Sequence, residues 1–176
     1  MNDFLAVVSY PEIQSKEKAW IDAYREKYDT YYGFVDAHFT LVFPLENYPI
    51  GAFSKEIEKQ TINQKIIHFS IHCATRNNDL TSDLWHVFLV PDEGFSEIVK
   101  LHDKLYSGAL AEYERLDLDF IPHIGVGNSK DPKECKRMID EINSMNIEMK
   151  GAVSKLQLIR HEKGIIHTFH EIELEK

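Results

Sequence analysis

Two short patterns in this 176-residue chain carry side chains suited to proton transfer: His38-Phe39-Thr40 and His123-Ile124-Gly125, their histidines 85 positions apart. Histidine has an ordinary pKa near 6.5, so an imidazole is neutral or charged at working pH according to its surroundings. Two imidazoles facing one cavity suit in-line chemistry at phosphorus. The neutral ring takes a proton from the nucleophile, and the charged ring gives one to the leaving oxygen. A hydroxyl two residues along, as at Thr40, donates to a non-bridging oxygen and stabilises developing charge. The scheme needs neither metal nor cofactor.

Strand parity decides where these rings point. Val35 to Leu45 alternates as a strand does, with Val35, Ala37, Phe39, Leu41 and Phe43 on one face and Asp36, His38 and Thr40 on the other. His38 and Thr40 then sit about 7 Å apart along the backbone. Phe120 to Gly127 gives a second strand. Phe120, Pro122, Ile124 and Val126 share its apolar face, and His123, Gly125 and Gly127 the opposite one. Both histidines fall on the face away from the core, towards solvent or a cleft.

The remaining elements alternate at short intervals. Phe4 to Ser9 is an apolar strand. Ser15 is placed to cap a helix bearing Trp20, Ala23, Tyr24 and Tyr28. Ile50, Phe53 and Ile57 mark a second helix. Ile66 to Ala74 and Leu84 to Val90 read as strands joined by a turn at Arg76-Asn77-Asn78-Asp79. Phe95, Ile98, Val99, Leu105, Tyr106, Ala109 and Leu110 form a helical stripe. Asp131-Pro132-Lys133-Glu134 carries a helix start with a cap, a first-turn proline and a capping box. Gly151 to Arg160 and Ile165 to Leu174 form a closing hairpin. Strands joined this briefly pair antiparallel, so the class is α+β.

The paired patterns, each inside an apolar strand, resemble the His-x-Thr/Ser motifs of the two-histidine (2H) phosphoesterases, which include RNA 2′,3′-cyclic phosphodiesterases and 2′-5′ RNA ligases. The likeness spans nearly the whole chain. It implies one bilobal domain over residues 1–176, with two pseudo-symmetric lobes, antiparallel sheets facing a central cleft and helices outside. It implies catalysis by His38 and His123, and phosphate contact at Thr40 and at the position held by Gly125. Reverse 2′-5′ joining becomes chemically accessible. Gly125 departs from the pattern, which has Thr or Ser there; loss of one such donor costs about 2.7–4 kcal/mol of transition-state stabilisation. A backbone amide or water can take its place, because glycine lets a ligand approach closely.

Composition narrows the partners. Hydrophobic residues at 43% and charged residues at 28% exclude disordered, collagenous and coiled-coil classes. The net charge of −9 argues against a duplex-binding groove and leaves a small or terminal phosphate as the anion. Cys73 and Cys135 form no CxxC pattern, and no HExxH spacing occurs, so no metal site is expected. The apolar run Phe4 to Val8 is too short for a leader or a membrane span, and a cytoplasmic monomer is expected. The other seven histidines (His68, His72, His86, His102, His161, His167 and His170) read as surface or cleft residues. Lys155, Gln157 and Arg160 are weighed as phosphate contacts against a solvated strand face. Tyr31, Tyr32 and Phe34 are weighed as base-stacking groups against packing on the core. Two functions stay open: hydrolysis of a nucleotide or RNA-terminal cyclic phosphate, or a weak or inactive module that binds a nucleotide in the same cleft.

Overall fold

The computed structural model describes residues 3–78 and 82–176. The chain runs β1 (Phe4–Ser9), β2 (Glu12–Ile13), α1 (Ser15–Tyr28), β3 (Phe39–Glu46), α2 (Ile50–Gln60), β4 (Ile67–Asn78), β5 (Trp85–Pro91), α3 (Phe95–Leu105), a 3₁₀ turn (Ala111–Tyr113), β6 (Ile124–Ser129), α4 (Pro132–Ser144), β7 (Met149–Val153), β8 (Lys155–Glu162) and β9 (Ile165–Glu173). Two sheets result, in the orders β3-β1-β8-β9 and β2-β7-β4-β5-β6, with antiparallel pairing throughout. The α+β class, the two sheets and the cleft between them agree with the sequence. The two histidine segments lead into β3 and β6, which are edge strands of different sheets.

Local chemistry accounts for the helix starts. Asp131 caps α4 by accepting from the Lys133 amide at 2.9 Å, with Pro132 in the first turn. Glu134 does not close the box directly. Its carboxylate accepts from Ser129 Oγ, which in turn accepts from the Asp131 amide. Ser15 is the first residue of α1 rather than its cap; Gln14 takes that position and makes no side-chain cap bond. The buried stripe of α4, Cys135, Met138, Ile139 and Ile142, packs on β4, β5 and β6. Most buried apolar side chains, including Phe39, Leu41, Ile98, Leu101 and Val126, join one core.

Other boundaries shift for topological reasons. Gly151 to Arg160 is not one strand: Met149–Val153 belongs to the five-stranded sheet and Lys155–Glu162 to the four-stranded one. Arg76, Asn77 and Asn78, expected in a turn, extend β4; Asp79 lies outside the described residues. Lys163 and Gly164 form the tight β8–β9 turn, both with positive φ (51° and 84°), the geometry of a two-residue hairpin loop.

Bulges break the parity on which the sequence reading relied. The β1–β3 register passes from Leu5↔Leu45 to Val7↔Val42 and Val8↔Thr40. Leu41 and Val42 are consequently both buried, and Phe43 leaves the core face and lines the cavity. In β6, Val87 pairs with Gly127 and Phe88 with Gly125, so Val126 is the extra residue. Gly127 thereby turns away from the face of Gly125: a Cβ there would meet Met138 Sδ at 3.0 Å and Tyr28 Cβ at 3.2 Å, although its backbone still edges the cavity. Its close approach to α1 is what glycine permits.

Candidate active site

His38 and His123 each occupy the last position before a strand, and each is held in the same way. His38 Nδ1–H donates to the Asp36 carbonyl at 2.7 Å, and His123 Nδ1–H to the Ile121 carbonyl at 2.6 Å. A carbonyl only accepts, so both rings carry their proton on Nδ1 and keep the Nε2 lone pair for other partners. The short link back to the residue two before it fixes each ring as its strand begins.

Both rings line one cavity of about 370 Å³, together with Thr40 and Gly125. The walls come from both sheets and from the segments preceding β3 and β6. The four residues singled out from sequence are thus brought together. Thr40 is half-buried on β3. At Gly125 a Cβ would meet nothing within 4 Å, so the lost side chain leaves open space.

The cavity disfavours imidazolium. Burial pushes His123 down to about 4, opposed by its bond to the Ile121 carbonyl and reinforced by His38 and His86. Burial also lowers His38, opposed by the Asp36 carbonyl and reinforced by the Arg25 charge. The Phe88 ring stacks on His123 with centroids 3.4 Å apart, and Tyr10 meets His38 edge-on at 6.1 Å.

Several lining residues were not singled out from sequence. Arg25 was legible in part, because it falls one helical turn after Ile21 on the buried face of α1. His86, read from sequence as a surface or cleft residue, lines the cavity; Phe88, Asn77 and Asn78 join it through the pairing of β4, β5 and β6, which local pattern does not reveal. Phe120 packs against the core as expected and also lines the cavity. Of the aromatic group before β3, Tyr31 lines the cavity, its ring parallel to His86 within 7° at 6.4 Å. Tyr32 is exposed, and Phe34 packs on His161.

The basic and amide residues of β8 do not reach the site. Lys155 pairs with Glu171 and Glu173, Arg160 with Glu162, and Gln157 accepts from the Tyr10 amide. Two histidines expected at the surface or cleft are buried. His161 stacks on Phe4 at 4.9 Å. His102 stacks on Phe120 at 3.6 Å, and its Nδ1–H donates to the Leu41 carbonyl at 2.9 Å. Among the described residues, His102, Asp103 and Glu114 bring three metal-type ligand atoms within 4.8 Å of one another, but none of them lines the cavity. No helix among the described residues is long and apolar enough to cross a membrane.

Two antiparallel sheets that each deliver a backbone-anchored histidine to one cavity define the paired-histidine class of fold. Residues 12–165 match the 2′-5′ RNA ligase superfamily, and the chain belongs to that family. Two curated relatives share the name "Putative phosphoesterase". That of Geobacillus sp. (strain WCH70) is 25% identical over 142 residues, covering 78% of each chain. That of Bacillus mycoides (strain KBAB4) is 23% identical over 167 residues, covering 95% of this chain and 94% of the relative. E. coli LigT in apo form has the same fold, with a TM-score of 0.58 at 16% identity and full coverage of both chains. Kluyveromyces marxianus Usb1 with uridine monophosphate aligns at a TM-score of 0.52 and 10% identity, covering 98% of this chain and 96% of that one.

Proposed function

We propose that this protein is a metal-independent phosphodiesterase that opens a nucleotide or RNA-terminal 2′,3′-cyclic phosphate. The observation that carries the reading is the matched tethering of His38 and His123, which leaves two Nε2 atoms in one cavity. One ring takes a proton from water as the water oxygen bonds to phosphorus. The bond from phosphorus to one ribose oxygen breaks, and the other ring, protonated, gives its proton to that oxygen. The product is a ribose phosphomonoester. Thr40 Oγ–H donates to a non-bridging oxygen, and the space at Gly125 admits the phosphate close to the backbone. Solved structures of similar fold carry nucleotides, namely 3′-AMP in E. coli LigT and uridine monophosphate in Usb1, which supports a nucleotide ligand here.

A second reading draws on Gly125 and on the lowered pKa of both histidines: the cavity binds a nucleotide and turns it over slowly or not at all. Hydrolysis of 2′,3′-cyclic nucleotides in the presence of chelator separates the two. We expect turnover that His38→Ala or His123→Ala each lowers by about 10²–10⁴-fold. Binding without turnover, unchanged by either substitution, supports the second reading. Activity abolished by chelator alone overturns the metal-free scheme.

A further inference from the structure

The cavity is poor in positive charge. Arg25 is the one lysine or arginine among its described lining residues, which also include Asp29, Asp117 and Asp119. Neither histidine supplies a permanent cation. An anionic phosphate therefore meets a single fixed positive charge, in a protein of net charge −9.

Arg25 is built into the wall rather than waving over it. It is 3% exposed, on the buried face of α1. Its Nε donates to Asp29 Oδ2 and its Nη2 to the Val35 carbonyl, both at 2.8 Å. A guanidinium has five N–H donors, and Arg25 makes no further hydrogen bond among the described residues. Asp29 is held in turn: its Oδ1 accepts from Asn128 Nδ2 at 2.8 Å and from the Tyr31 amide at 2.9 Å. Thr30 Oγ1 donates to Asn128 Oδ1 at 3.0 Å. Asn128 lies on β6, so the same network that orients Arg25 ties it to the strand that follows His123 and contains Gly125.

We propose that Arg25 is a phosphate-binding residue of this site, supplying from α1 the anion contact that the second motif lost at Gly125. The identity of the anion as a substrate phosphate rests on the phosphodiesterase reading; the anion site itself does not. A guanidinium fork can give two parallel donors to two phosphate oxygens, which a lone hydroxyl cannot. The open space at Gly125, which lines the same cavity, leaves room for the anion. The Arg25 charge acts on His38, which places the guanidinium within electrostatic reach of a ligand that His38 contacts.

The test uses the full chain with inorganic phosphate as the probe and imidazole NMR as the readout. Arg25→Gln should weaken phosphate binding by about ten- to a hundredfold. It should also raise the titration midpoint of His38, since a nearby cation has been removed. Arg25→Lys keeps the charge and loses the fork, so it should bind phosphate with intermediate strength; it carries the test if the glutamine variant does not fold. Adding Gly125→Ser to Arg25→Gln should recover part of the lost affinity. A folded variant with wild-type phosphate affinity and an unmoved His38 midpoint would make Arg25 a structural residue and overturn the proposal. Arg25-dependent phosphate binding without turnover of any cyclic nucleotide would uphold it while removing the phosphodiesterase reading. Turnover that needs both histidines but keeps its KM in the Arg25 variants would do the reverse.

Discussion

The Phe88 ring lies flat against the His123 imidazole, with centroids 3.4 Å apart and planes 16° from parallel. At its edge the imidazole is anchored by Nδ1–H to the Ile121 carbonyl. Stacking fixes the ring plane and the hydrogen bond fixes its rotation. Burial disfavours the charged form of His123, and the Phe88 ring forms part of what buries it.

Phe88→Ala should therefore uncouple these effects. Removing the ring admits water to His123, so its pKa should rise from about 4 towards 6.5. Stability should fall by about 3 kcal/mol for loss of a large buried aromatic. An imidazole NMR titration and a denaturant melt read the two quantities; a His123 midpoint that stays near 4 would show that Phe88 does not set it.

Stability should depend on pH through the same ring. The folded-state pKa of His123 lies below the ordinary 6.5, so above about pH 6.5 neither state binds the proton and the contribution is fully present. As pH falls from about 6.5 to about 4, the unfolded chain takes up a proton that the folded chain refuses, and on the order of 3 kcal/mol is lost. His38, also lowered, adds in the same direction. His123→Asn should flatten the curve across this window, and an unchanged slope between wild type and variant would refute the assignment.

Gly125 and Gly127 should respond oppositely to added side chains. Gly125→Ser meets open space and should fold normally, with a higher kcat from the restored hydroxyl. Gly127→Ala drives a methyl towards Met138 Sδ and Tyr28 Cβ and should cost about 1–3 kcal/mol. Thermal melts and steady-state kinetics distinguish them. A destabilised Gly125→Ser would contradict the cavity geometry.

Thr40→Val keeps the shape and removes the hydroxyl. We expect kcat to drop by about 10²–10³-fold with little change in the melting temperature. Unaltered kcat would take Thr40 out of the phosphate contacts.

Much of the architecture was legible because its signals are local. Asp131 and Pro132 announce α4 through backbone chemistry confined to one turn. Alternation around His38 and His123 placed both rings off the core, and it holds for the residues nearest them. Legibility failed where a distant strand intervened. Phe43 and Gly127 change face because β3 and β6 are bulged against β1 and β5, and nothing in either segment alone encodes that mismatch. Glu134 needed Ser129 to complete its cap, and Arg25 needed Asp29 and Val35 to make a buried cation tolerable.

The order of residues by itself determined the two His-x-x patterns, the apolar strands into which they lead, the α+β class and the loss of one hydroxyl at Gly125. These follow from side-chain chemistry and the period of the backbone, which act over a few neighbouring residues. Only the tertiary structure decided that His38 and His123 line the same cavity, that Phe88 and Arg25 join them, and that the basic residues of β8 do not. Those outcomes depend on sheet order and register, which are set by burying one shared core among segments far apart in the chain.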